Sequence, residues 1–294
     1  LDLHPQEIGT IENLTEGWAA GLQLAAIAIQ EEKRRQRQLY PAQDPLPEQA
    51  KFIRLLSGNQ KVILDYLVDE ILNRQPVQVV RFLLYISSLT RFCPRLCDAV
   101  LTGTDVFGST SDQNNSTTYT HSDQFLNYVD HENLFLIPLD DQSEWFRLHH
   151  LFAEALQNRL RQTQPIMIDT ILERASLWCD ENEYPEEAIH YGMKAGETRQ
   201  TAAIIEKHAE RFIQNGMVIP LSRWIEQIPL TVRKDHPGLC IHHARALVTA
   251  GQLKEAENQL TIAEQTVATF PIKEKNTLIG RIAAIRATTA ILRA

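Results

Sequence analysis

Along almost the whole chain apolar residues recur three and four positions apart, and one stretch, Leu134 to Leu148, breaks that rhythm. Spacing of three and four places side chains on one face of a helix, so each segment must bury that face against another helix. In the exception, Leu134-Phe135-Leu136-Ile137-Pro138-Leu139 and Trp145-Phe146-Arg147-Leu148 are β-favouring runs joined by the polar Asp140-Asp141-Gln142-Ser143. Two such runs around a short polar link predict a hairpin. Helical segments precede it and another, Leu151 to Arg161, follows at once. Helices, a hairpin, then a helix is the order of a winged helix, and the fold class expected is mainly α with this one hairpin.

Before the hairpin, Thr15 is placed to cap a long helix through Trp18, Leu22, Leu24, Ala25, Ile27 and Ile29, which Pro41, Pro45 and Pro47 end. Further helices are expected at Gln49–Leu56, Gln60–Leu72, Val77–Ser88, Arg95–Leu101 and Gln124–Asp130, with a polar loop from Gly103 to Ser122. From Pro165 onward the pattern is helical throughout, with links short enough to make neighbouring helices antiparallel. There Ala244, Leu247, Gly251, Ala256, Leu260 and Ala263 set small residues at a close helix crossing and Gly at the turn between two helices. Ser176, Cys179, Glu183, Ala188, Gly192 and Ala195 occupy the same places 68 positions earlier, with Ile213 and Met217 as the weaker intermediate unit. Half that spacing is the period of tetratricopeptide-like helix pairs stacked into a superhelix. The domains expected are a helical arm over 1–74, a winged helix over 75–164 and a helical repeat over 165–294. Ile279, Ile282, Ile285 and Ile291 on the last helix are expected to form an exposed stripe facing a missing neighbour.

Composition narrows the function classes. With 44% hydrophobic and 22% charged residues the chain is an ordinary globular protein. Its net charge of -8, with one basic run at Lys33, Arg34, Arg35 and Arg37, is a poor match to a phosphate-tracking surface. Cys93, Cys97, Cys179 and Cys240 lack the doubled short spacing of a zinc site and are expected to be reduced and buried. His242 and His243, adjacent on a helix, diverge by roughly 100° and form no metal pair with each other. Trp178, Tyr184, Tyr191 and Trp224 suit either interhelical packing or a ligand groove. No apolar run approaches a membrane span, and the start carries no signal peptide, so the expected location is cytoplasmic.

Four segments, in order, carry a family resemblance: Thr15-Glu16-Gly17-Trp18-Ala19-Ala20-Gly21-Leu22-Gln23-Leu24-Ala25-Ala26, Leu64-Asp65-Tyr66-Leu67-Val68-Asp69-Glu70-Ile71-Leu72, Asn133 to Leu139, and Trp145-Phe146-Arg147-Leu148-His149-His150-Leu151-Phe152-Ala153. They resemble the large ATP-binding LuxR-type transcription regulators, the maltose-regulator-like signal-transduction ATPases. The resemblance is firm over the first 165 or so residues and diffuse beyond.

What the resemblance implies is a nucleotide switch in which a winged helix helps clamp ADP at rest. An inducer or regulatory protein on the helical repeat then favours ATP, self-association and DNA binding through a C-terminal domain. Neither the pattern Gly-x-x-x-x-Gly-Lys-Ser/Thr nor an evident helix-turn-helix lies in this sequence, so the chain is expected to be an interior piece with no catalytic residue and no cofactor of its own, ATP or ADP belonging to the intact protein. His149 matches a family His that reaches the β-phosphate of ADP. The alternative is a His that caps the helix or fills an interface. Gly17 and Ala19 match a stretch near the adenine; the family residue at the third place is often Pro, and Ala19 departs from it. A stand-alone helical-repeat scaffold that binds only protein is the rival reading, and the Leu148-His149-His150-Leu151-Phe152 run disfavours it.

Overall fold

The structure, a computed structural model, describes residues 72–107, 120–132, 134–142, 144–267 and 271–293. The expected helical arm, with Gly17 and Ala19, lies outside the described residues apart from its last positions. What is described is mainly α, with one two-stranded antiparallel sheet. The chain divides into two units, residues 1–94 with 103–165, and residues 95–102 with 166–294.

In the first unit α1 (Val77–Ile86), α3 (Ser122–His131) and α4 (His150–Thr163) surround a core in which Val79, Phe82, Phe125, Val129, Leu156 and Leu160 are closed to solvent. Phe82 of α1 stacks on Phe125 of α3, ring centroids 4.7 Å apart. Tyr85 ties the start and end of the unit together, its hydroxyl donating to Gln164 Oε1 at 2.7 Å. The hairpin is β1 (Leu136–Pro138) and β2 (Phe146–Leu148), in the register Leu136 with Leu148, Ile137 with Arg147 and Pro138 with Phe146. Phe92 adds a third, one-residue rung: its N–H and carbonyl each bond Phe146 at 2.8 Å. Helices, hairpin and following helix therefore stand in the expected order.

The second unit takes in α2 (Pro94–Leu101), whose end is held by Arg174 donating to the carbonyls of Val100 and Thr102. Helices α5 (Pro165–Glu181), α6 (Pro185–Ala195), α7 (Thr198–Gln214), α8 (Val218–Gln227), the single turn α9 (Leu230–Arg233), α10 (Pro237–Thr249), α11 (Leu253–Val267) and α12 (Ile272–Arg293) follow. They pair in sequence: α6 packs on α7, α7 on α8, and α10 on α11. Of the left-handed residues described in the links of this unit, Gly196 after α6 lies off the sequence period and three lie close to it. Glu183, Gly216 and Gly251, each in the link after α5, α7 and α10, have φ of 66°, 75° and 77°. Beyond each, a backbone N–H reaches back five residues: Tyr184 to Cys179, Met217 to Phe212 and Gln252 to Leu247, all at 2.8 Å. This bond through a left-handed residue ends a helix and satisfies a carbonyl that the helix leaves over. The weak middle unit is thus regular in its turn, one residue away from the strict sequence shift.

Close crossings explain the small residues. A side chain at Gly192 would press on Thr201 Oγ1 and Ser176 Oγ, and Ser176 itself donates to the Ala188 carbonyl at 2.7 Å. At Gly238, in the first turn of α10, a methyl group would overlap the carboxylate of Glu206 from α7, which binds His236 Nδ1 at 2.9 Å. Helix α10 is buried nearly all round, with Cys240, Ile241, Ala244 and Leu247 in one core with Ala256, Leu260, Ala263 and Ile282. Tyr191 is closed to solvent and so belongs to the packing, while Trp178 stacks on Tyr184 at 6.0 Å and Trp224 tilts against Phe212 at 5.1 Å. All four cysteines are free and buried.

The isoleucine stripe of the last helix needs correction. Ile282 is 2% exposed and sits in the core with Leu278 and Ile285 beside it, whereas Ile279 is 41% and Ile291 75% exposed. At about 100° per residue, Ile291 points opposite to Ile282 and roughly 120° away from Ile285, so the four do not share one face.

Two substitutions test the turn and crossing geometry. Glu183→Gly should stabilise the chain by about 0.5–1 kcal/mol, because a left-handed backbone strains any residue with a Cβ and the exposed Glu183–Arg211 pair contributes little. Gly192→Ala should cost about 1–3 kcal/mol through overpacking, even after its better helix propensity. Urea unfolding followed by circular dichroism reads both.

Candidate functional site

The junction between the hairpin and α4 carries the described member of the expected site. Asp140 shapes the hairpin link: Oδ1 accepts from the Glu144 N–H and Oδ2 from the Trp145 N–H, both at 2.8 Å. Arg91 lies over the Trp145 ring, 4.7 Å from its centroid, beside the Phe92 rung. These ties fix the strand that leads into His149.

His149 is the cap residue of α4, with extended ψ, and its carbonyl accepts from the Ala153 N–H at 2.9 Å. Its own N–H donates to the Phe135 carbonyl at 2.9 Å. Phe135 holds a φ of 62°, strained for an aromatic residue, and packs its ring 4.5 Å from Phe152 on the first turn of α4. The strain is held by contacts on both sides: a bond to the cap residue and a ring contact one turn further on. The His149 ring is 3% exposed and stacks on the exposed His150 ring, centroids 4.7 Å apart. The sequence singled out His149 and set His150 aside, whereas the solvent-facing imidazole is His150.

The start of α4 also has features that suit an anion. The helix begins without a side-chain cap and without an acidic residue in its first turn. The N–H groups of a first turn have no partners inside the helix and carry the positive end of its dipole. Two stacked imidazoles at such an end can donate to a phosphate oxygen.

Elsewhere the charged groups form interhelical ties. In the second unit Asp180 of α5 receives Lys207 at 3.0 Å and His208 at 2.7 Å from α7. Burial pushes the Asp180 carboxyl up, but the bonds from His208 and Lys207 outweigh it and hold it below its ordinary value. His242 and His243 are both buried and face different helices, His242 towards Arg281 of α12 and His243 towards Glu226 of α8. Sequence reasoning excluded a metal pair there; the Arg281 partner, 39 positions away, left no sequence signal. Among the described residues no cluster of His, Cys, Asp and Glu could hold a metal ion, and no helix is long and apolar enough to cross a membrane.

If Asp140 organises this junction, Asp140→Ala should lower stability by about 1–2 kcal/mol through two lost carboxylate bonds to backbone N–H groups. A drop in the melting temperature checks it, and an unchanged melt would mean the link holds without Asp140.

Residues 68–167 match the MalT winged helix domain. The chain is 26% identical over 289 residues to the HTH-type transcriptional regulator MalT of Serratia proteamaculans, covering 98% of this chain and 29% of that protein. It is 26% identical over 275 residues to MalT of Klebsiella pneumoniae, covering 94% of this chain and 27% of that one. The serine/threonine-protein kinase PknK of Mycobacterium tuberculosis (strain ATCC 25618 / H37Rv) is 26% identical over 294 residues, all of this chain and 23% of the kinase. The chain thus spans about a quarter of the length of the curated relatives it matches. The resemblance to the large transcription regulators therefore stands: residues 68–167 are similar to the MalT winged helix domain, and nearly the whole chain is similar to a segment of the MalT regulators.

Proposed function

We propose that this chain is the regulatory part of an ATP-dependent, LuxR-class transcription regulator, in which the winged helix helps hold a resting ADP state and the helical repeat senses an effector or a partner protein. The observation that carries the nucleotide half is the start of α4: an uncapped helix end, free of acidic residues in its first turn, with His149 and His150 stacked on it. The strained Phe135 and the Asp140 link pre-set that end, as a phosphate contact requires. The sensing half is supported by the relatives. One is named a transcriptional regulator and another a protein kinase, and each contains a segment like this over about a quarter of its length. A part shared between proteins with different outputs is read here as the part that receives the signal.

In this reading the chain has no catalytic residue and binds neither ATP nor DNA usefully by itself. One charge-assisted hydrogen bond from His149 contributes on the order of 1.5–3 kcal/mol, whereas micromolar binding needs about 8 kcal/mol. The remaining donors are those of a glycine-rich phosphate loop, a pattern this sequence lacks. DNA would be bound through a C-terminal domain, self-association would follow the ATP state, and the setting would be cytoplasmic.

In the intact regulator, His149→Ala should speed ADP release about tenfold or more, the loss of one such bond, and raise basal activity. His150→Ala measures the contribution of the exposed ring. Stopped-flow release of a fluorescent ADP reads both, and unchanged release in the two variants would remove the α4 start from the nucleotide site. Calorimetry giving a micromolar ADP constant for the 294-residue chain alone would overturn the division of labour proposed here.

A further inference from the structure

Helix α12 is held to its neighbours by two kinds of bond. On the α11 side Arg286 bridges Glu257 at 2.8 Å and Glu264 at 3.0 Å, and Arg293 donates to the Leu253 carbonyl at 3.0 Å. On the α10 side Arg281 Nη2 donates to His242 Nε2 at 2.9 Å, beside the apolar contact of Ile282 with the core around Cys240 and Ala244. A guanidinium has donors and no acceptor, so His242 Nε2 must offer a lone pair and the ring must be neutral, with its proton on Nδ1. A protonated imidazole carries N–H at both positions and would turn a donor against a donor at this distance.

We propose that His242 and Arg281 form an acid-sensitive latch that fixes α12 to α10, so that protonation of His242 frees that side of the helix while α12 stays tethered to α11. The surroundings give the charged ring little to replace what it loses. Arg281 faces it from α12, Glu210 from α7 and Arg245 from its own helix, and the Glu210 carboxylate is already engaged by Arg245 and Gln214. His242 Nδ1 is buried and has no hydrogen-bond partner among the described residues. Burial first, and then the Arg281 charge, lower His242 from its ordinary 6.5 to about 4. The sign follows from linkage. With α12 released the ring takes up a proton more readily than with it docked, so docking is full above about pH 6.5 and weakens as the pH falls towards 4. The histidine next in sequence is not part of the latch, because His243 faces Glu226, Arg233 and Gln259.

Hydrogen exchange of the 294-residue chain at pH 7.5 and 5.0, corrected for intrinsic rates, tests this. Protection of α12 should fall about tenfold more than that of α11 on acidification. In His242→Gln, whose side-chain carbonyl accepts from Arg281 and does not titrate, protection of α12 should be equal at the two pH values. Arg281→Gln, which removes the guanidinium charge and leaves the buried helix untouched, should shrink the difference and serves if the first variant does not fold. An equal loss over α10, α11 and α12 would overturn the latch, as would a wild-type response retained in the variants.

Discussion

A helix pair can stack on the next only if the chain reverses within two or three residues, and in the second unit that reversal rests on one left-handed residue per pair. Glu183, Gly216 and Gly251 supply it, and in each case the next N–H closes back on the helix just ended. The turn sets where the second helix starts, and the start sets which side chains meet. Ser176 and Gly192, or Ala244 and Ala256, are small because the turn has already brought their helices close. That Glu serves at one of the three places shows the geometry to be imposed by the packing around it, since its own backbone preference opposes it.

The first unit depends on a different constraint, the passage from β2 into α4. The hairpin is only three residues deep on each side, too short to hold its register alone. Asp140 at its tip, the Phe92 rung at its flank and the Phe135–Phe152 contact at its base supply what length does not. His149 inherits its position from all three.

Most of the fold was legible because it is local. Helical spacing, the two β-favouring runs and the small-residue pattern each involve neighbours in sequence, and the helices at Val77, Pro94, Ser122 and His150 begin within two residues of the expected places. The site was legible only in part. His149 was reached through its motif, but which of two adjacent imidazoles is buried depends on how Phe135 and α4 pack, and spacing does not carry that. Arg281 on His242, Glu206 over Gly238 and Arg174 on the end of α2 join residues 30 or more positions apart, with no periodic mark at either end. The isoleucines of α12 differ for the opposite reason: they recur close together in sequence yet point to different sides of the helix.

The carboxylate of Glu206 lies across Gly238, at the positive end of α10, although it belongs to α7. A helix usually receives the negative group at its start from its own first residues, so that it can begin to form alone. Here α10 has no acidic residue in its first turn and no side-chain cap of its own, and the charge arrives from another helix. Its initiation is thereby made conditional on tertiary structure, since the costly first turn is relieved only after α7 stands in place. With any larger residue at 238 the carboxylate could not lie where it does, and the start of α10 would lose its neighbour's charge.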